Sequence, residues 1–225
     1  MQGPQQEGEL GAVYSARDAA ELAKVYDRWS EDYDQYMLDG GYRHPAICTA
    51  LLTRHVPAGD APVLDAGAGT GIMGELLGLL GYTRLVGLDF SSGMLKIARQ
   101  KNLYTSLVEA DLTADVPLDA GSFAAATAVG IFTTGHVGTD GFDNLLRLIR
   151  PEGHLVTTIK TSSWADSFET HLKALEAAGS IRINNITPAY NSIPGASTNL
   201  PSFALAIQKC GLCYFHITHT FWICC

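Results

Sequence analysis

The stretch VLDAGAGTGIMG, residues 63–74, constrains this chain more than any other. Residues 62–67 read as a short buried strand, and the apolar spacing from Gly71 onward reads as a helix. A strand that feeds a helix through closely spaced glycines turns sharply, and glycine accepts the left-handed backbone angles that such a turn demands. The turn aims backbone N–H groups and the positive end of a helix at whatever lies beyond the strand. Two glycine patterns overlap here. Gly69, Gly71 and Gly74 fit G-x-G-x-x-G, the spacing of dinucleotide loops, whereas Gly67, Gly69 and Gly71 fit G-x-G-x-G with Asp65 just ahead. Asp65 weighs between them. A carboxylate beside the helix end disfavours a pyrophosphate and suits a cationic or ammonium-bearing ligand.

The rest of the chain repeats the same strand–helix unit. Strands are expected over 84–90, 104–112, 123–132 and 154–160, with helices over 91–102, 142–150 and 167–179 between or after them. Ser91 stands where an N-cap belongs, and Gly179 where a helix closes. Two more strand-like segments, 181–190 and 202–209, are joined by turn residues and no helix. Alternating units of this kind imply an α/β fold: a Rossmann-like doubly wound sheet, mostly parallel with one antiparallel edge strand, and helices on both faces. Upstream, Ala19, Leu22, Val25, Tyr26, Trp29, Tyr33, Tyr36 and Met37 recur at helical spacing from residue 18, and a second helix opens at Pro45. The expected organisation is a flexible arm over 1–17, a main domain over 18–209 whose segment 18–57 is helical, and an atypical apolar tail over 210–225.

Composition narrows the partners. The net charge of −8, from 15 basic and 23 acidic residues, argues against the basic footprint that duplex nucleic acid requires. No run approaches the roughly 18 apolar residues needed to span a membrane, and the polar start lacks the apolar core of a secretory signal. Five cysteines, four of them within 210–225, do not form a disulfide framework, so a reducing, cytoplasmic location is expected. The tail residues Cys210, Cys213, His216 and His219 lack the long insert that separates ligand pairs in zinc modules, and no metal is expected.

VLDAGAGTG resembles the first motif of class I S-adenosylmethionine-dependent methyltransferases. Asp89 at the end of the second strand, Asp111 at the end of the third, and LRLIRPEGHLV (146–156) fit that family at suitable distances. YDRWSEDYDQYM (26–37) followed by GYRHP (41–45) is similar to the Williams–Beuren critical-region methyltransferase-like proteins, which extends the likeness over about 20–209. The resemblance implies S-adenosylmethionine as cofactor, S-adenosylhomocysteine as product, and an N-terminal helical lid over 18–57.

It also implies roles for particular residues. Asp65, Ala66, Gly67, Gly69 and Gly71 would border the methionine part of the cofactor, Asp65 fixing the loop and facing its ammonium group directly or through water, and compatibly capping loop amides. Asp89 would accept hydrogen bonds from the ribose hydroxyls, or cap the helix at 91. Phe90 and Met94 would sandwich the adenine, with core packing the alternative for Met94. Asp111 and Leu112 would contact the adenine edge. Val129, with Gly130 and Ile131, would border the transferable methyl. In the aromatic stripe Tyr26 would touch the cofactor, and the Tyr33 hydroxyl is a candidate to reach cofactor or substrate. Arg43 would pair with the cofactor carboxylate or lie solvated on the surface. His136, on the loop TTGHVGTDG, is a candidate to take a proton from the acceptor.

The chain shows neither a Asp-Pro-Pro-Tyr-like segment nor a Pro-Cys nucleophile, which argues against nucleobase and glutamine acceptors. A small-molecule acceptor is expected, attacked in line with the departing sulfur. Two other functions share parts of this pattern: a cofactor-binding protein that does not catalyse, and an NAD-dependent oxidoreductase.

Overall fold

The computed structural model describes residues 8–16, 19–133, 137–196 and 201–211. Strand β1 (Val63–Ala66) is buried along its whole length and is flanked by parallel β2 (Leu85–Asp89) and β4 (Phe123–Phe132). Parallel β3 (Ser106–Glu109) extends the sheet on one side and β5 (Ile149–Lys160) on the other. Beyond β5 lie β8 (Pro201–Lys209) and β6 (Ile181–Ile186), giving the order β3-β2-β1-β4-β5-β8-β6, with the short β7 (Tyr190–Asn191) on β8. The expected antiparallel strand is present toward this edge. β8 runs antiparallel to both β5 and β6, so β6 forms the rim and β8 lies one place inside it.

Both faces of the sheet are covered, and the two-residue period of the strands sorts side chains between them. Leu155 and Ile159 of β5 join Leu205 and Ile207 of β8 in one core, which includes Phe142 and Leu145 of α7 (Thr139–Leu148) and Leu172 of α9 (Glu169–Ala177). Val156, Ala204 and Ala206 face the other core, with Cys48, Leu51 and Leu52 of α4 (His44–His55) and Leu77 of α5 (Ile72–Leu79). The run of alanines in β4 keeps its faces flat enough for helices to approach. Helix α6 (Ser92–Gln100) follows β2, and the Ser91 hydroxyl accepts from the Met94 amide at 3.1 Å, the expected N-cap. A short helix α8 (Thr161–Ser163) and a π-turn at Trp164–Phe168 connect β5 to α9.

Several local expectations change. Helix α7 ends at Leu148 and β5 begins at once, because Ile149 pairs with Phe123 ahead of a register shift; the expected helix to residue 150 and strand from 154 underestimate this strand. The arm expected over 1–17 contains helix α1 (Glu9–Ser15), whose Leu10 and Val13 are buried against Leu22, Val25 and Trp29. Such a short helix has little stability of its own, so tertiary burial holds it. The single aromatic helix is two, α2 (Ala19–Trp29) and α3 (Tyr33–Asp39), bent where Asp32 N–H donates to the Trp29 carbonyl. The bend stacks Trp29 edge-on to Tyr33 and Tyr36, with ring centroids 4.8 and 5.0 Å apart. The segment 18–57 also divides: α4 packs in the layer covering the sheet, whereas α2 and α3 stand at the carboxyl ends of the strands.

Candidate active site

In a doubly wound sheet, ligands bind beyond the carboxyl ends of the strands, near where the strand order reverses. Here the reversal falls between β1 and β4. A cavity opens at that point. Gly67 and Gly69 line it from the loop after β1, Asp89 and Phe90 from the end of β2, Met94 from α6, Asp111 and Leu112 after β3, and Val129 and Gly130 from β4. Leu22 and Tyr26 of α2 and Tyr33 of α3 add to its wall from the N-terminal helices.

The glycine loop shows why each glycine stands where it does. Gly67, Gly69 and Gly71 all have positive φ, at 69°, 54° and 94°. A Cβ on Gly67 would come within 2.2 Å of the Ile131 side chain, whereas one on Gly69 would meet nothing within 4 Å. Gly69 therefore leaves open space on the cavity side, while Gly67 lets β4 close in. Gly71 and Gly74 serve a different neighbour. A Cβ on Gly74 would lie 2.4 Å from the Tyr104 hydroxyl, and one on Gly71 would lie 3.3 Å from its ring. The last two glycines of the dinucleotide-like spacing thus make room for a tyrosine.

That tyrosine is tied to Asp65. The buried Asp65 carboxylate accepts from the Tyr104 hydroxyl at 2.6 Å and from the Thr127 hydroxyl at 2.8 Å. Burial raises its pKa despite both bonds. Asp65 is turned toward Tyr104 and Thr127 and is not among the residues lining the cavity; the hydrogen bonds it accepts come from these two side chains, which brace the glycine loop from behind. Sequence reading missed Tyr104 because nothing local connects it to Asp65.

Asp89 is buried yet lines the cavity. One carboxylate oxygen accepts from Gly69 N–H at 2.8 Å and the other from Ser91 N–H at 2.9 Å. An ionised carboxylate has about four lone-pair sites, so both oxygens keep acceptor capacity toward the cavity. Burial pushes its pKa up to about 6; the Ser91 and Gly69 amides oppose that rise, and the nearby Asp65 adds to it. Asp111 accepts from both the amide and the hydroxyl of Thr113 at 2.8 Å, which fixes the loop after β3 against the cavity.

Of the expected site residues, the fold therefore brings Tyr26, Tyr33, Gly67, Gly69, Asp89, Phe90, Met94, Asp111, Leu112 and Val129 to one cavity. Four fall outside its lining. Ala66 is buried at the end of β1, Gly71 caps α5, Asp65 is engaged as described, and Arg43 is exposed at the start of α4 with its backbone N–H on the Ser192 carbonyl. Arg43 is exposed immediately ahead of the buried His44 and Pro45 and is not among the residues that line the cavity. His136, and the tail residues Cys213, His216 and His219, lie outside the described residues. Among the described residues no helix is long and apolar enough to cross a membrane.

Two acids that the aromatic stripe concealed fasten α2 and α3 over the site. Asp27 accepts from the Ser91 hydroxyl at 2.6 Å and from Gly93 N–H at 2.8 Å, at the start of α6. Asp34 accepts from the Thr70 hydroxyl of the glycine loop and from Lys101 at 2.6 Å. Asp27→Ala is expected to cost about 1–2 kcal/mol by urea denaturation, since two donors lose their acceptor. Amide exchange should rise over α2 before the sheet is affected.

Comparison with known proteins agrees with this geometry. A methyltransferase-domain family model matches residues 63–153. Human methyltransferase-like protein 27 is 32% identical over 183 residues, covering 78% of this chain and 74% of that protein. Demethylmenaquinone methyltransferase of Clavibacter sepedonicus is 30% identical over 145 residues, covering 63% of this chain and 58% of the relative. Among solved structures, magnesium protoporphyrin IX methyltransferase from Synechocystis PCC 6803, with S-adenosylmethionine bound, superposes with a TM-score of 0.59 at 14% identity over 83% of this chain and 96% of that one. A strand-end cavity built on this glycine loop, in a chain that aligns with most of a named methyltransferase, places the protein among the class I S-adenosylmethionine-dependent methyltransferases.

Proposed function

We propose that this methyltransferase passes a methyl group to a small-molecule acceptor by in-line displacement, inside a chamber that α2 and α3 close as a lid. The observation that carries this reading is the wall itself. Leu22, Tyr26 and Tyr33 come from the N-terminal helices and face the strand ends across the cavity, so a bound acceptor would be held in a small enclosure. The proposed catalytic unit is residues 18–209 together with α1.

The residues present fit S-adenosylmethionine. Asp89 would accept from the ribose hydroxyls, the open space at Gly69 and the bend at Gly67 would admit the methionine part, and Asp111 would meet the adenine amino group. Phe90, Met94 and Leu112 would enclose the adenine ring with apolar surface, Tyr26 would cover the cofactor, and Val129 would border the methyl. When bound, the cofactor supplies a methyl group activated by its positive sulfur. The chain aligns acceptor and methyl, excludes water and, through Tyr33, offers a hydroxyl to orient the acceptor. Asp65, Ala66, Gly71 and Arg43 would act on the loop's shape or on α4 instead of touching the cofactor.

Incubation with methyl-labelled S-adenosylmethionine and a fractionated cell extract tests the reading. Label is expected in the small-molecule fraction. Label confined to protein or RNA would overturn the small-molecule assignment. Isothermal titration with S-adenosylhomocysteine checks the cofactor site separately.

A further inference from the structure

A second, smaller chamber adjoins the first beneath the N-terminal helices, and Tyr26, Tyr33 and Gly130 line both. The two differ in character. The first carries Asp89 and Asp111. In the second, Trp29, Met37, Tyr42 and Ile193 supply ring and aliphatic walls, and no aspartate or glutamate lines it among the described residues. Gly130 stands where the chambers meet. It has φ +80°, and a Cβ there would lie 4.0 Å from Cδ2 of His44. Cδ2 neighbours Nε2 in the ring, so the Nε2 edge of His44 is turned toward that meeting point.

His44 opens α4 and keeps only 5% of its surface exposed. The Tyr190 hydroxyl lies 2.7 Å from Nδ1, which sets the way the ring faces. Tyr42 and Tyr190 pack edge-on against it, with ring centroids 5.3 and 5.4 Å away. Among the described residues nothing bonds Nε2. Nor is Nε2 sealed in, because the buried side-chain polar atoms that lack a partner are Ser163 Oγ and Asn184 Oδ1. Nε2 therefore opens on the chamber that His44 lines.

The proton on this ring can be placed. Burial pushes the His44 pKa down to about 3, so the imidazole is neutral at physiological pH and carries one N–H. Burial raises the pKa of Tyr190, whose hydroxyl keeps its proton. Among the described residues that hydroxyl has no acceptor but Nδ1. Tyr190 thus donates to Nδ1, and His44 holds its own proton on Nε2, as a donor aimed into the chamber.

We propose that the second chamber is the acceptor subsite, that it takes flat aryl hydroxyl compounds, and that His44 Nε2–H binds their oxygen in its ionised form. This rests on the methyl-transfer reading given above. Aromatic walls suit a planar ring. An N–H donor in a partly dry wall favours an aryl oxide over the neutral hydroxyl, and so does the positive end of the α4 dipole, which begins at the same residue. An ammonium-bearing acceptor would meet a donor there, with no carboxylate among the described lining residues to receive it. Lys160, which lines the same chamber, is already engaged and is not needed as a free cation. The hydroxyl proton goes to water on binding. The oxygen keeps lone pairs for the methyl carbon: an O–C bond forms, and the methyl–sulfur bond breaks with its electron pair left on sulfur.

4-Nitrophenol tests this, because its oxide absorbs visible light and its hydroxyl form does not. It is titrated into wild type, His44→Phe and His44→Gln with S-adenosylhomocysteine present, read by absorbance and by saturation-transfer NMR. Wild type is expected to bind the oxide, and to bind the equally sized 4-nitroaniline and 4-nitroanisole about tenfold more weakly or less. His44→Phe should weaken 4-nitrophenol by about tenfold and abolish the preference for the oxide; His44→Gln, which restores an N–H donor, should recover part of both. S-adenosylhomocysteine affinity should be unchanged in both variants, which also reports that they fold. Unaltered 4-nitrophenol affinity in His44→Phe, 4-nitroaniline binding as tightly, a bound probe in the hydroxyl form, or no binding at millimolar concentration would each overturn the proposal. Those results would leave the cofactor reading intact, whereas failure of wild type to bind S-adenosylhomocysteine would remove that reading and this one with it.

Discussion

Asp89→Asn is expected to weaken S-adenosylhomocysteine binding by roughly a hundredfold, about 3 kcal/mol, because hydrogen bonds to an ionised acceptor contribute about 1.5–3 kcal/mol each and two ribose hydroxyls would share this one. Isothermal titration reads the loss directly. The pH dependence separates this role from a merely structural one. Burial holds the Asp89 pKa up to about 6, so affinity in the wild type should be level above that pH and fall as pH drops below it, while Asp89→Asn should be level throughout.

Stability of the ligand-free protein should move the other way. A carboxyl whose folded pKa of about 6 exceeds its ordinary value of 3.8 holds more protons in the folded state than in the unfolded state between those values. Its contribution to stability is fully present below 3.8 and is lost as pH rises through about 6, a change of roughly 3 kcal/mol. Urea denaturation across that window should therefore show the stability of wild type relative to Asp89→Asn falling as pH rises. A constant difference would mean that Asp89 is not the buried acid described here.

Asp65→Ala is expected to destabilise the protein by about 3–4 kcal/mol, the largest effect on folding of any change considered. It leaves the Tyr104 hydroxyl without its acceptor and the Thr127 hydroxyl with only the distant Leu64 carbonyl at 3.4 Å, in a region closed to water. Gly71, Gly74 and Gly87 pack around the Tyr104 ring, so the ring has little freedom to find another partner. Tyr104→Phe isolates one bond. It leaves the Thr127 contact in place and should cost about 1–3 kcal/mol by urea denaturation. Because Gly71 and Gly74 rest on that ring, the same variant should also loosen the glycine loop and weaken S-adenosylhomocysteine binding. A Tyr104→Phe protein as stable as wild type would show that the Asp65 pair does not brace the loop.

Much of the site was legible because it is local. The left-handed bend at Gly67, Gly69 and Gly71, Asp89 at a strand end, the Ser91 cap and the position of Asp111 follow from short-range spacing and from where parallel strands stop. Of the two readings open for Arg43, the solvated surface position is the one the fold adopts, and spacing alone could not choose between them. The sequence of α1 reads as a loose arm because its few apolar residues make no helix by themselves; Leu10 and Val13 become meaningful only against Leu22, Val25 and Trp29.

The chain by itself determined the alternation of strands and helices from β1 to β5, the glycine bend and the acid at the end of β2, since each depends on neighbours within a turn or a strand. Tertiary structure alone decided that Asp65 meets Tyr104, 39 residues away, that Asp27 and Asp34 fasten α2 and α3 to the loops below, and that β8 enters between β5 and β6 to bring Ser202 beside Lys160. Periodicity reports which face a side chain presents; which residue it meets there depends on how distant segments are folded against one another.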